Sequence, residues 1–284
     1  MGIRQIANLS EIIEGYDAIL CDVWGVLHNG VRSWAAASKA LVAARAEGRA
    51  VVLITNAPRP KGPVAEQLAS LGVPGEAFDD IVTSGDVTRA LISENARMVF
   101  HIGPDRDTSL YDGLDVELVE EREASTVVCT GLFDDDTEKP SDYAEMLRRL
   151  RARNLPFICA NPDIVVERGD RLVYCAGALA KEYGLLGGRT LIAGKPHAPI
   201  YREAMMRAGA ALGREIERSR VLAIGDGLTT DVKGAMDFGI DLLFISDGIH
   251  AREYGAPGNP DYGKMADHLD GFGAHPVATM LKLA

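Results

Sequence analysis

The chain has 284 residues, 47% of them hydrophobic, and a formal net charge of −11 at pH 7. That length suits about two domains with ample cores, and an acidic chain with a pI near 5.1 is a poor partner for nucleic acid or an anionic membrane surface. No apolar run reaches the roughly 18 residues of a helical membrane span. A phosphorylated metabolite is not excluded, because a local cation can override the global sign. The start "MGIRQIANLSEIIEG" lacks the pattern of a signal peptide. Met1-Gly2 resembles an acylation signal, but Ile6 stands where Ser or Thr is required. The expected location is the cytoplasm.

In chain order, "AILCDVWGV" (18–26) reads as a first strand. Ser33 is then expected to cap a helix through "WAAASKALVAARAEG", closed by Gly48. "AVVLIT" (50–55) is the second strand and "PVAEQLASLG" (63–72) the next helix. A further series runs through "MVFHIG", "TVVCTG", "YAEMLRRLRARN" and "PFICANPD". The last third offers "TLIAGKP", the helix "PIYREAMMRAGAAL", "RVLAIGDG", a helix from about Thr230 to Phe238, and "DLLFIS". Continuous apolar runs alternating with helical segments indicate parallel βαβ units with buried strands.

The fold class expected is therefore α/β, with a Rossmann-like parallel-sheet core in two pieces, 1–94 and 189–284, and an inserted α/β domain over 95–188. Within the insertion, the acidic tongue "FDDDTEKP" (133–140) reads as a solvated loop rather than a metal site. Cys21, Cys129, Cys159 and Cys175 show no close pairing, and buried reduced thiols are expected.

In an open parallel sheet, ligands sit beyond the carboxyl ends of the strands. Four sets of chemical groups fall there: Asp22 after the first strand, Thr55 and Asn56 after the second, Lys195 after "LIAG", and Asp226 with Asp231 after "VLAI". Each alone has a plain explanation as a cap or turn residue. Together they suit a covalent mechanism in which a carboxylate attacks phosphorus. A hard cation such as Mg²⁺, held by one or two carboxylates, would neutralise the approaching charges. Asp22 and Asp226 are the natural pair. Thr55 and nearby backbone N–H groups could hold phosphoryl oxygens, Lys195 could offset negative charge, and Asp231 could orient Lys195 or the waters of the metal.

The pieces "DVWGVLHNG", "LITNAPR", "NPD", "AGKP" and "GDGLTTDVKGA", spread over essentially the whole chain, resemble the haloacid dehalogenase superfamily. Within it they resemble the class with a large α/β cap inserted after the second motif, the NagD-type and p-nitrophenyl phosphatases. The resemblance implies Asp22 as nucleophile, Thr55 with Asn56 beside it as phosphate holders, and Lys195 as phosphate clamp. It implies an Mg²⁺ site made by Asp22, the backbone carbonyl of Trp24, Asp226 and Asp231. Asn161, Pro162 and Asp163 match the substrate-facing loop of the cap, with Asp163 and Arg168 as candidate polar contacts; for Arg168 the plainer reading is a solvated loop charge. A small phosphorylated metabolite would be the substrate. Cap-mediated homodimers occur in the group, and no feature here demands one.

One letter departs from the pattern. Family phosphatases carry a second Asp two residues after the nucleophile, which protonates the leaving oxygen and later activates water. Trp24 stands there, and an indole N–H donates but does not titrate. Loss of such a group typically costs about 10²–10⁴ in rate. Three readings follow. The enzyme is a phosphohydrolase for undemanding leaving groups or with a substitute acid, for which His28 is the nearest titratable residue; its plainer reading is a histidine of a surface loop. Alternatively the substrate is a phosphonate or haloacid. In the third reading, the protein binds a phosphorylated metabolite as a sensor with negligible turnover.

Overall fold

The computed structural model describes residues 3–284; Met1 and Gly2, and with them the acylation question, lie outside the described residues. The strands are β1 (Ala18–Asp22), β2 (Ala50–Thr55), β3 (Asp80–Thr83), β4 (Met98–Ile102), β5 (Glu117–Leu118), β6 (Thr126–Cys129), β7 (Phe157–Cys159) and β8 (Val165–Arg168). They continue with β9 (Arg171–Tyr174), β10 (Thr190–Ile192), β11 (Val221–Gly225), β12 (Asp241–Ile245), β13 (Gly255–Ala256), β14 (Asn259–Pro260) and β15 (Ala278–Met280). The α-helices are α1 (Ala35–Ala46), α2 (Lys61–Ser70), α3 (Ser84–Asn95), α4 (Ala144–Ala152), α5 (Ala176–Leu185), α6 (Ala198–Leu212), α7 (Lys233–Phe238) and α8 (Tyr262–Phe272). No helix among the described residues is long and apolar enough to cross a membrane.

Contacts divide the chain into two compact units. The first comprises 1–55, 65–82 and 201–284, the second 56–64 and 83–200. The first unit is built on a six-stranded sheet in the order β15-β12-β11-β1-β2-β3. β1 pairs in parallel with β2 on one side and β11 on the other, and β12 and β15 continue in parallel. Successive strands thus run outward from β1 in one direction and from β11 in the other, which makes their carboxyl ends the topological switch point. All five residues of β1, all six of β2 and all five of β11 are buried, as central parallel strands require.

Two local expectations are corrected here. The first strand stops at Asp22 rather than Val26, because Leu27 and His28 N–H donate to the Val23 carbonyl at 2.8 and 3.3 Å and close a tight turn. Ser33 does not cap the first helix. Its hydroxyl donates to the Leu71 carbonyl at 2.6 Å, and Trp34 occupies the cap position with no side-chain hydrogen bond.

The second unit carries a five-stranded sheet in the order β10-β7-β6-β4-β5, parallel throughout, and the antiparallel hairpin β8-β9. The two faces of its sheet follow the period-two rule. Val127, Cys129, Phe157 and Cys159 pack with Leu147 and Leu150 of α4 and Leu179 and Tyr183 of α5. Val128 and Ile158 face the other way, with Val99, Leu110 and Ile92 of α3. Tyr183 stacks on Phe157 at 5.1 Å and donates its hydroxyl hydrogen to the Leu155 carbonyl at 2.7 Å. All four cysteines are buried and unbridged. Burial pushes up the thiols of Cys129, Cys159 and Cys175, that of Cys159 to about 12.

The tongue is not simply solvated. Asp135 is held by Arg106, and it accepts from both guanidinium nitrogens of Arg168 at 3.1 and 2.7 Å. Its side chain keeps only 10% exposure.

His101, on β4, lies with Nε2 3.0 Å from Thr130 Oγ1 and its ring edge-on to Tyr111. Burial pushes its pKa down from 6.5 to about 4. The unfolded chain therefore binds the extra proton between those values, so stability from this group is complete above pH 6.5 and is lost as pH falls toward about 4. The urea midpoint should drop across that window, and His101→Gln should make the drop shallower; superimposable pH profiles for the two proteins would contradict this.

Candidate active site

In the first unit the carboxylates of Asp22, Asp226 and Asp231 come together. One oxygen from each lies within 4.8 Å of the others, and the residues are 5%, 5% and 4% exposed. The register explains the meeting. Cys21 pairs with Ile224, so the last residue of β1 and the first beyond β11 emerge side by side. Asp231 follows in a π-helical turn, Leu228–Val232, that leads into α7. Such turns are rare and frequent at functional sites.

Three like charges at this spacing repel one another by about 4 kcal/mol per pair at an effective dielectric of 20. Backbone donors relieve part of that. Ile249 N–H donates to Asp226 Oδ2 at 2.8 Å and Gly227 N–H to Asp231 Oδ2 at 3.1 Å. An all-oxygen donor set of buried carboxylates is the chemistry that hard divalent cations take, so the residues fit Mg²⁺.

The backbone is shaped around these carboxylates. Gly25 has φ +88°, and a Cβ built on it would stand 2.3 Å from Asp226 Oδ2. A Cβ on Gly248 would stand 2.1 Å from the same oxygen, and one on Gly225 2.3 Å from the Asp231 side chain. The contact at Gly25 brings the Trp24–Gly25 peptide to the acid cluster.

Trp24 is half-buried in the turn. Its ring meets His28 edge-on, with centroids 4.9 Å apart at 70°. His28 is 2% exposed, so the surface-loop reading is wrong. Its Nδ1 accepts the Gly30 N–H at 2.9 Å, which in the neutral ring leaves the hydrogen on Nε2. The turn is short enough to fold the imidazole back into the interior. Thr55, the last residue of β2, is 4% exposed.

Asn56, Asn161, Asp163, Arg168 and Lys195 belong to the second unit. There Asn56 is the organiser. Its Oδ1 accepts the Lys195 N–H at 2.7 Å, and its Nδ2 donates to Asp163 Oδ1 at 2.9 Å and to the Lys195 carbonyl at 3.3 Å. Asn161 Oδ1 in turn accepts the Asp163 N–H at 3.1 Å. Lys195 is 2% exposed. Asn56, Asp163, Asn161 and the Lys195 backbone are thus one hydrogen-bonded group. Arg168 is turned to another task, since it pairs with Asp135 and approaches Asp136 at 3.5 Å. The reading of Arg168 as a solvated charge therefore fails.

Several residues that shape the site carried no expectation: Gly248, Ile249 and the N–H of Gly227. All of them act through backbone or through the absence of a side chain. The signal available was "SDGIH" (246–250), a glycine turn directly after an apolar strand in a parallel sheet.

Residues 19–117 match the family model of a haloacid dehalogenase-like hydrolase, and residues 192–271 match a second model described as HAD-hydrolase-like. The crystal structure of a haloacid dehalogenase-like family hydrolase from Brucella suis superposes with a TM-score of 0.90 at 57% identity, covering 98% of this chain and 100% of that one. A 5'-nucleotidase of Bacillus subtilis is 25% identical over 245 residues, 84% of this chain and 90% of the relative. An acid sugar phosphatase of Staphylococcus epidermidis is 25% identical over 244 residues, 84% of this chain and 89% of the relative. With family matches toward both ends of the chain and a full-length relative at that identity, this protein belongs to the haloacid dehalogenase-like hydrolase family.

Proposed function

We propose that the chain is a phosphoric monoester hydrolase of a small phosphorylated metabolite, working in the cytoplasm through an aspartyl-phosphate at Asp22. The observation that carries this is the buried trio Asp22, Asp226 and Asp231 at the carboxyl ends of β1 and β11. Relatives named as a 5'-nucleotidase and an acid sugar phosphatase support the reaction class.

A divalent cation, Mg²⁺ in this reading, would be held by Asp22, the Trp24 carbonyl, Asp226 and Asp231, and would neutralise carboxylate and phosphoryl charge. Asp22 Oδ attacks phosphorus, the P–O bond to the leaving group breaks, and an acyl phosphate forms on Asp22. Water then attacks the same phosphorus, inorganic phosphate departs and the carboxylate is regenerated. Thr55 and the backbone N–H of Asn56 beside it would hold phosphoryl oxygens, and the Lys195 ammonium would offset their charge. The insertion over 95–188 is read as the cap, with Asn161 and Asp163 shaping specificity.

Trp24 supplies neither the proton for the first step nor the base for the second. His28 is placed next to it, but its Nδ1 is engaged by a backbone N–H, which leaves Nε2 as the one atom able to exchange a proton. The substrates favoured are those whose leaving groups need little protonation. The same geometry favours a binding role where the leaving group is poor, because the charges that hold phosphate are intact.

With p-nitrophenyl phosphate, turnover should require Mg²⁺ and vanish in EDTA. Asp22→Asn should abolish it with the circular dichroism unchanged, whereas equal rates would sink the mechanism. Trp24→Asp should raise the steady-state rate by about 10²-fold or more. Gly25→Ala, which pushes a methyl into Asp226, should weaken Mg²⁺ binding by about tenfold or more; an unchanged Mg²⁺ affinity by calorimetry would show that Asp226 is no ligand.

A further inference from the structure

A second grouping of ligand-type side chains stands in the first unit: His250, Glu253 and His268, with one donor atom of each within 4.8 Å of the others. His250 and Glu253 lie beyond the end of β12, and His268 lies on α8. His250 Nδ1 is 2.7 Å from Glu253 Oε1. His268 Nε2 is 2.9 Å from Glu253 Oε2, a close approach without the alignment of a hydrogen bond. The two imidazoles are tilted at 46° with centroids 6.2 Å apart, and Tyr254 lies beside His268.

Two histidines and a glutamate are a donor set for zinc. The remaining nitrogen of His250 decides against it. Nε2 accepts the Leu228 N–H at 3.2 Å. A histidine that binds metal through Nδ1 carries its hydrogen on Nε2, where it would collide with that N–H. The hydrogen therefore sits on Nδ1 and is donated to Glu253, which fixes the tautomer.

Leu228 lies between Asp226 and Asp231, and Ile249, whose N–H holds Asp226, directly precedes His250. The loop after β11 is thus fastened to the loop after β12 at two adjacent points, one on a carboxylate and one on an imidazole. We propose that His250 is a positioning residue that fixes the acid-bearing loop, with Glu253 keeping its ring in the required tautomer and His268 packed beside it. The proposal rests on the metal-dependent reading above.

The test is a Mg²⁺ titration of the full chain, read by melting temperature and, in parallel, by p-nitrophenyl phosphate activation. His250→Ala should raise the Mg²⁺ concentration for half-maximal effect about tenfold in both readouts, with kcat at saturating Mg²⁺ little changed. His250→Gln, whose amide oxygen can accept the Leu228 N–H, should recover most of the loss. Exposed Glu253 gives a second variant if the first fails to fold, and Glu253→Ala should shift the titration in the same direction. A wild-type response to Mg²⁺ that His250→Ala and Glu253→Ala leave unmoved overturns the positioning role and spares the functional reading. No response in the wild type overturns both. A stoichiometric rise in melting temperature with Zn²⁺, lost in His268→Ala, would make the cluster a metal site and overturn the proposal.

Discussion

Three buried carboxylates that must share one small space are the constraint on which the rest of this structure turns. A parallel sheet whose strands diverge from β1 and β11 delivers Asp22 and Asp226 to neighbouring strand ends, and the π-helical turn adds Asp231. The surrounding sequence answers their presence. Glycine stands at 25, 225 and 248 because the acid side chains occupy the space a Cβ would need. Backbone N–H groups of Ile249 and Gly227 point at two of the three acids. Repulsion of this size is relieved by a compensating charge or by a shared proton, so the packing around the three acids and the proposed cation site are one problem rather than two.

Trp24 divides the chemistry. Binding phosphate and attacking phosphorus depend on charge and on Asp22, both untouched by the indole. Proton delivery and water activation depend on a titrating group in the position the indole occupies. The edge-on packing of Trp24 against His28, together with the Gly30 N–H on Nδ1, holds the two aromatic residues as a rigid wall of the turn. In the proposed reaction, what the site would give up is speed at both proton-dependent steps, and what it would keep is affinity for the phosphoryl group.

Much of the fold was legible because buried parallel strands leave continuous apolar runs. "AVVLIT" became β2 without the shift of a residue, and "DLLFIS" became β12 with one residue fewer. The four-residue β3 and the short hairpin β8-β9, whose apolar pairs are broken by Glu167, Arg168 and Arg171, left no such run and were not foreseen, nor were α3 and α8. The end of β1 was overrun because Val23 and Val26 look like strand, while the turn that ends it is made by backbone hydrogen bonds to the Val23 carbonyl. In the site, each acid follows a strand and could be found. The tie between Asn56 and the Lys195 backbone spans 139 residues and had no local signature. The Leu228–His250 contact likewise joins two loops through a main-chain N–H, which is invisible in side-chain patterns. Asp135 read as one more solvated acid of the tongue, since its arginine partners lie 29 and 33 residues away.

The central claim is that, with a leaving group that needs no proton, a covalent phosphoryl intermediate forms readily at Asp22 and resolves slowly for want of an acid–base group at position 24. Rapid mixing of the Mg²⁺-loaded protein with p-nitrophenyl phosphate, following nitrophenolate release, tests it most directly. The account predicts a burst approaching one equivalent per chain followed by a slower steady phase, absent in Asp22→Asn and erased in Trp24→Asp as the second step becomes fast. A linear release from the first turnover, with no phosphate retained on Asp22 after acid quench, would contradict it.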